Sequence, residues 1–123
     1  MMNNEEIIRE IYDTLNVCDI DICYIYGKFL TDKFSEDEYI YLAILGGIQN
    51  FDRIAYESRL TRKIGIVVKL NFINYLPYHY QFQIISRNEK VIFKYNKNSA
   101  MYLYSMYLWY KEEYSFYMKL INN

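Results

Sequence analysis

The chain has 123 residues and a formal net charge of −1, enough for one domain over residues 1–123 with a single core but without the basic excess of a broad nucleic-acid footprint. No stretch approaches the roughly 18 consecutive apolar residues of a membrane span, and the opening MMNNEEII has neither the positive start nor the apolar middle of a signal peptide. A cytoplasmic protein with no membrane or nucleic-acid partner is therefore expected.

Asn3 or Asn4 can cap a first helix, with Glu5 and Glu6 in the first turn where the helix dipole favours negative charge. Ile7, Ile8, Ile11 and Leu15 form its apolar stripe, and it should end near Asn16. Asp19-Ile-Asp21 follows, a literal Asp-x-Asp at the entrance of the first strand, where solvated carboxylates are the default. Cys18 and Cys23 do not form a CxxC pair and are read as buried free thiols.

Ile22 to Tyr26 is short, β-branched and aromatic, which predicts a strand. Gly27 ends it, because glycine alone takes φ > 0 at no steric cost. The loop from Lys28 to Glu38 carries Asp32, Glu36, Asp37 and Glu38 beside Lys28 and Lys33. Tyr39 to Leu45 is apolar on both faces, as a central strand covered twice would be, and Gly46-Gly47 closes it.

Phe51 to Leu60 reads as a surface helix capped by Asn50, with Arg59, Arg62 and Lys63 near its end. Ile64 to Leu70 predicts a third strand and Asn71 to Pro77 a loop. Tyr78 to Ile85 is a short helix, Glu89 to Tyr95 a fourth strand reached by a turn at Arg87-Asn88, and Lys97 to Ile121 a long last helix. His79 has no second histidine and no placed carboxylate for a metal, so a packing or surface role is expected. The last helix is apolar nearly all round, with Tyr107, Trp109, Tyr110, Tyr114 and Tyr117 among its large residues. Such residues are enriched at interfaces, so either a partner covers them or a tyrosine-rich surface keeps its hydroxyls in water.

The frame Ile22–Leu45 resembles the signature of the minimal nucleotidyltransferase (MNT) family of the DNA polymerase β superfamily. That signature is a strand, Gly-Ser, a short loop, and Asp-x-Asp on the next strand. Gly27 takes the glycine, Lys28 the serine, and Tyr39 and Tyr41 the two metal-binding aspartates. Leu60-Thr-Arg-Lys-Ile-Gly-Ile-Val67 resembles the family's Leu-Gly-Arg-x-Val-Asp-Leu-Val, which puts Gly65 at the third carboxylate. The resemblance implies an α+β nucleotidyltransferase fold: a mixed sheet of about four strands, helices packed on it, and a long C-terminal helix.

In the family three carboxylates hold two Mg²⁺ that align and neutralise the nucleotide's phosphates. A phenol with pKa about 10 is neutral at pH 7 and a poor Mg²⁺ ligand. The expectation is a catalytically degenerate site needing no cofactor, with Gly27 and Lys28 a remnant phosphate cradle. The resemblance also implies a partner: a HEPN-domain toxin, bound as an antitoxin would bind it, with self-association through the last helix as the other possibility. Two alternatives stand. One is an active Mg²⁺-dependent enzyme transferring AMP to protein with Asp32, Glu36, Asp37 or Glu38 as displaced ligands, Asp37 and Glu38 foremost. The other is a nucleotide-sensing or assembly module.

Overall fold

The computed structural model describes residues 2–17, 20–35, 37–46, 52–87, 89–94 and 96–121. Cys18, Asp19, Glu36, Gly47, Asn50, Phe51, Asn88 and Tyr95 lie outside them. Helix α1 spans Asn4–Leu15. Asn3 caps it in a reciprocal box: the Glu6 N–H donates to Asn3 Oδ1 at 2.8 Å, and the Asn3 N–H donates to Glu6 Oε1 at 3.1 Å. Strand β1 (Ile22–Tyr26) pairs antiparallel with β2 (Ile40–Leu45) and, on its other side, with β4 (Glu89–Phe93). Strand β3 (Val68–Phe72) lies parallel to β2, so the order is β3-β2-β1-β4. This is the expected mixed four-stranded sheet, with β2 central and β4 at an edge.

The two faces of the sheet bury separate clusters. On the first face, Ile7, Ile11 and Leu15 of α1 and Leu60 and Ile64 of α2 (Arg53–Ile64) pack on the strand residues whose side chains point that way, among them Ile25, Leu42, Val68 and Leu70. On the second face, Ile22, Tyr24, Ala43 and Leu45 lie under Ile84 of α3 (Tyr78–Arg87) and Tyr102 and Leu103 of α4 (Lys97–Trp109). The period-2 alternation of the strands separates the two sets, and each full burial of an isoleucine or leucine contributes about 1.5–3 kcal/mol. Cys23 is buried in the first cluster, as expected for a free thiol.

The middle of the chain departs from the sequence reading. The α2 cap is Asp52, whose side chain accepts from the Ala55 N–H at 3.1 Å, not Asn50. The helix also runs on to Ile64, and Gly65 (φ +84°) is its left-handed C-cap, with Arg62 and Lys63 in the last turn. Both are ordinary stop signals, which the apolar run Ile64–Leu70 conceals. The third strand therefore starts four residues later than expected and ends at Phe72, followed by one 3₁₀ turn at Ile73–Tyr75. The last helix is interrupted as well: a π-helical turn at Tyr110–Tyr114 separates α4 from α5 (Ser115–Ile121).

Candidate functional site

α3 and α4 cover the second sheet face at one end only. At the other end Tyr26 is paired with Tyr41 across β1–β2, and Tyr41 with Lys69 across β2–β3, so these three side chains form a row on one face. The Tyr26 and Tyr41 rings lie 5.5 Å apart between centroids. Tyr39, two residues before Tyr41, brings its ring to 6.1 Å from that of Tyr41 and is 43 % exposed. Lys69 lays its ammonium over the Tyr39 ring, 5.7 Å from the centroid, within the range of a cation–π contact. Asn71, next but one on β3, donates from Nδ2 to the Tyr26 hydroxyl at 2.6 Å. Burial pushes the Tyr26 phenol above its ordinary pKa, the Asn71 bond opposes this, and Tyr41 adds to the rise.

Beside this row is an open cleft of about 550 Å³ lined by Gly27, Lys28, Asp37, Glu38, Tyr39 and Tyr41. Gly27 takes φ +85°, and a β-carbon there would come within 3.1 Å of the Tyr41 ring, which packs against this turn. Lys28, where the family has serine, reaches Glu38 at 3.8 Å, an exposed and weak pair. The Ser35 hydroxyl donates to the Asp37 carboxylate, and Glu38 Oε1 lies 3.4 Å from the same oxygen. The Ser35 bond, helped by a backbone N–H, holds the Asp37 carboxyl below its ordinary pKa. Asp32 is exposed and does not line the cleft.

The parallel register separates Gly65 from the tyrosine row. Gly65 is off the sheet, at the end of α2, and a β-carbon on it would meet nothing within 4 Å. The residue that stands beside Tyr41 is Lys69. The helix-ending glycine was the signal that could have found this. The row on this face thus presents two phenols and an ammonium. Such a set does not fit Mg²⁺, which needs near-octahedral oxygen ligands at about 2.0–2.1 Å; an ammonium offers no lone pair and repels a dication. Among the described residues no group of three or more His, Cys, Asp or Glu could hold a metal ion.

Other expected positions separate in the same way. Asp21 is no solvated entrance: it accepts from Ser99 Oγ at 2.7 Å and packs against Gly46, where a β-carbon would collide with its carboxylate. Its main chain also joins β2 to β4, donating to Leu45 O and accepting from the Lys94 N–H. It is a structural pin. The His79 ring lies 4.6 Å from that of Tyr80, a packing role. On the last helices, Tyr107 is exposed, while Trp109 is half-buried with its ring 5.7 Å from that of Tyr78. The side chains of Tyr110, Tyr114 and Tyr117 lie outside those described. Among the described residues no helix is long and apolar enough to cross a membrane.

Neither family models nor curated proteins match the sequence. Solved structures do resemble the fold. A chain from a toxin–antitoxin complex with AMP-PNP superposes with a TM-score of 0.68 at 14 % identity, covering 98 % of this chain and 97 % of that one. One from the MntA–HepT toxin–antitoxin complex gives 0.67 at 13 % identity, covering 97 % of each. One from the complex of a tri-AMPylated Shewanella oneidensis HEPN toxin with its MNT antitoxin gives 0.67 at 14 % identity, covering 96 % of this chain and 95 % of that one. With a mixed four-stranded sheet matched over nearly the whole length of both chains, this protein has the nucleotidyltransferase fold seen in the MNT antitoxin complexes.

Proposed function

We propose that this chain acts as an antitoxin-like partner of a HEPN-domain toxin and neutralises it by binding, without metal-dependent nucleotidyl transfer. The observation that carries the reading is the row Tyr39, Tyr41 and Lys69 where the fold's chemistry calls for three carboxylates. Phosphoryl and nucleotidyl transfer depend on divalent ions to neutralise phosphate charge and activate the attacking hydroxyl. A site with a resident ammonium and two neutral phenols supplies no such cage. The aromatic surface stays and can pack against protein. The partner class follows the likeness of the fold to MNT chains from complexes with HEPN toxins.

The experiment is co-expression with a HEPN-domain toxin, followed by affinity purification and an assay with labelled ATP. Recovery of a stoichiometric complex, with relief of toxin-dependent growth arrest and no label on either protein, is the expected result. Label transferred to the toxin in a Mg²⁺-dependent manner and lost in Asp37→Ala would replace this reading with the enzymatic one. That alternative draws on one observation, that Asp37 and Glu38 line the same cleft as Tyr39 and Tyr41. No complex, with nucleotide bound by the isolated chain, would favour a nucleotide-sensing module.

A further inference from the structure

A second pocket lies far along the chain from the tyrosine row. Trp109, Glu112, Glu113, Phe116 and Leu120 line a hollow of about 420 Å³. The positions follow i, i+3, i+4, i+7 and i+11, one side of a helix, and the π-helical turn Tyr110–Tyr114 passes through it. π turns are rare and frequently occur at functional sites. Phe116 and Leu120 are 66 % and 63 % exposed, an unusual condition for large apolar side chains that share one face. Among the described residues, the substantial packing of α5 is against the π turn alone. Glu112 and Glu113 are exposed and have no ion-pair partner among the described residues.

The walls of this hollow are chemically split. One end presents the half-buried indole of Trp109, packed on Tyr78, and an indole attracts cations more strongly than the other aromatic rings do. The middle presents two carboxylates, which pair best with a guanidinium. The other end presents a phenylalanine and a leucine, suited to the aliphatic stem of a long basic side chain. An anionic or purely apolar occupant would leave the two carboxylates desolvated and unpaired, which is costly. We infer that this pocket of the C-terminal helices is the socket for an arginine or lysine side chain of the HEPN-class toxin. The inference rests on the partner reading above and adds the chemistry of the contact.

The chain contains one tryptophan, so the fluorescence of Trp109 reports this pocket directly. Titration with the co-expressed HEPN-domain protein, in a variant of that partner stripped of its own tryptophans, should protect Trp109 from acrylamide quenching. Glu112→Gln/Glu113→Gln, checked by far-UV circular dichroism for an intact fold, should weaken the complex about 10-fold and flatten its dependence on salt. Glu112→Lys/Glu113→Lys should weaken it further through like-charge repulsion. A complex that forms with Trp109 still open to acrylamide, or that binds equally well in the glutamine variant, overturns the socket and leaves the partner reading standing. Protection of Trp109 in the chain alone, by self-association, overturns it as well. Absence of any complex removes the partner reading and the socket with it.

Discussion

At the scale of single residues, what matters is what stands where, and register decides it. Cys23 lies fully inside the first core cluster, and burial alone pushes its thiol up to about 12. The thiolate is the reactive form, so at pH 8 the native thiol should be inert. In a Cys18→Ser background we expect Ellman's reagent to label Cys23 at least ~100-fold more slowly in buffer than in 6 M guanidinium, following the deprotonated and accessible fraction; comparable rates would place the thiol at the surface. Tyr39 and Tyr41 were legible in the sequence because Gly27 and the strand after it fix their positions without a gap. Lys69 was not. A glycine inside an apolar run reads as a strand residue, and only its φ of +84° and the Thr61 carbonyl that accepts from its N–H identify it as the end of a helix.

At the scale of elements, helix α2 does more than cover the sheet. β3 is an edge strand, and an edge presents unpaired N–H and C=O groups. Thr61 Oγ1 accepts from the Val68 N–H at 3.0 Å, Glu57 Oε2 accepts from the Leu70 N–H at 2.7 Å, and Arg53 Nη1 donates to the Leu70 carbonyl at 3.4 Å while holding Glu57 at 3.0 Å. Positions 53, 57 and 61 lie one helical turn apart, so three side chains from one face serve as a substitute strand. Glu57→Ala should cost about 1–3 kcal/mol in urea unfolding, since it leaves the Leu70 amide and the Arg53 charge without their partner. It should also raise the chain's tendency to associate through the exposed edge, measurable by light scattering; a monomeric variant of unchanged stability would show that water replaces Glu57 at no cost. The same helix is tied to α1 by Lys63 and Glu10 at 3.0 Å. The Lys63 hydrogen bond, against a desolvation that opposes it, holds the Glu10 carboxyl below its ordinary value. A depressed folded pKa means the link is present above the unfolded value, near 4.5, and is lost as pH falls through the folded one. Lys63→Met should therefore lower stability at pH 7 by roughly 0.2–1 kcal/mol and leave it unchanged near pH 2. An equal deficit at both pH values would assign the loss to packing.

At the scale of the molecule, a scaffold with two buried clusters holds a third surface open, and its chemistry can be altered with little effect on the clusters. Short β-branched runs made the sheet readable, and an asparagine cap followed by Glu5 and Glu6 announced α1, but the single core expected is two clusters, one on each face of the sheet. The interruption at Tyr110–Tyr114 was hidden because Tyr-Lys-Glu-Glu-Tyr contains neither proline nor glycine to mark a break. That separation of core from site permits a whole-molecule test of the sign of the site. In the native chain, Mg²⁺ meets Lys69 and two neutral rings, so about 10 mM MgCl₂ should leave the thermal midpoint where it is, because a ligand stabilises only the state it binds. Tyr39→Asp/Tyr41→Asp/Lys69→Asp reverses the field. Three carboxylates on neighbouring positions of one sheet face repel one another, and the metal-free variant should lose about 1–3 kcal/mol. Magnesium should then restore part of it: for a dissociation constant of about 1 mM, about 10 mM ion returns about 1.4 kcal/mol. Stabilisation of the native chain by magnesium to the same extent would mean that Asp37 and Glu38, or groups beside them, form a metal site despite their bonds to Ser35 and Lys28, and the proposed loss of transfer chemistry would fall with it.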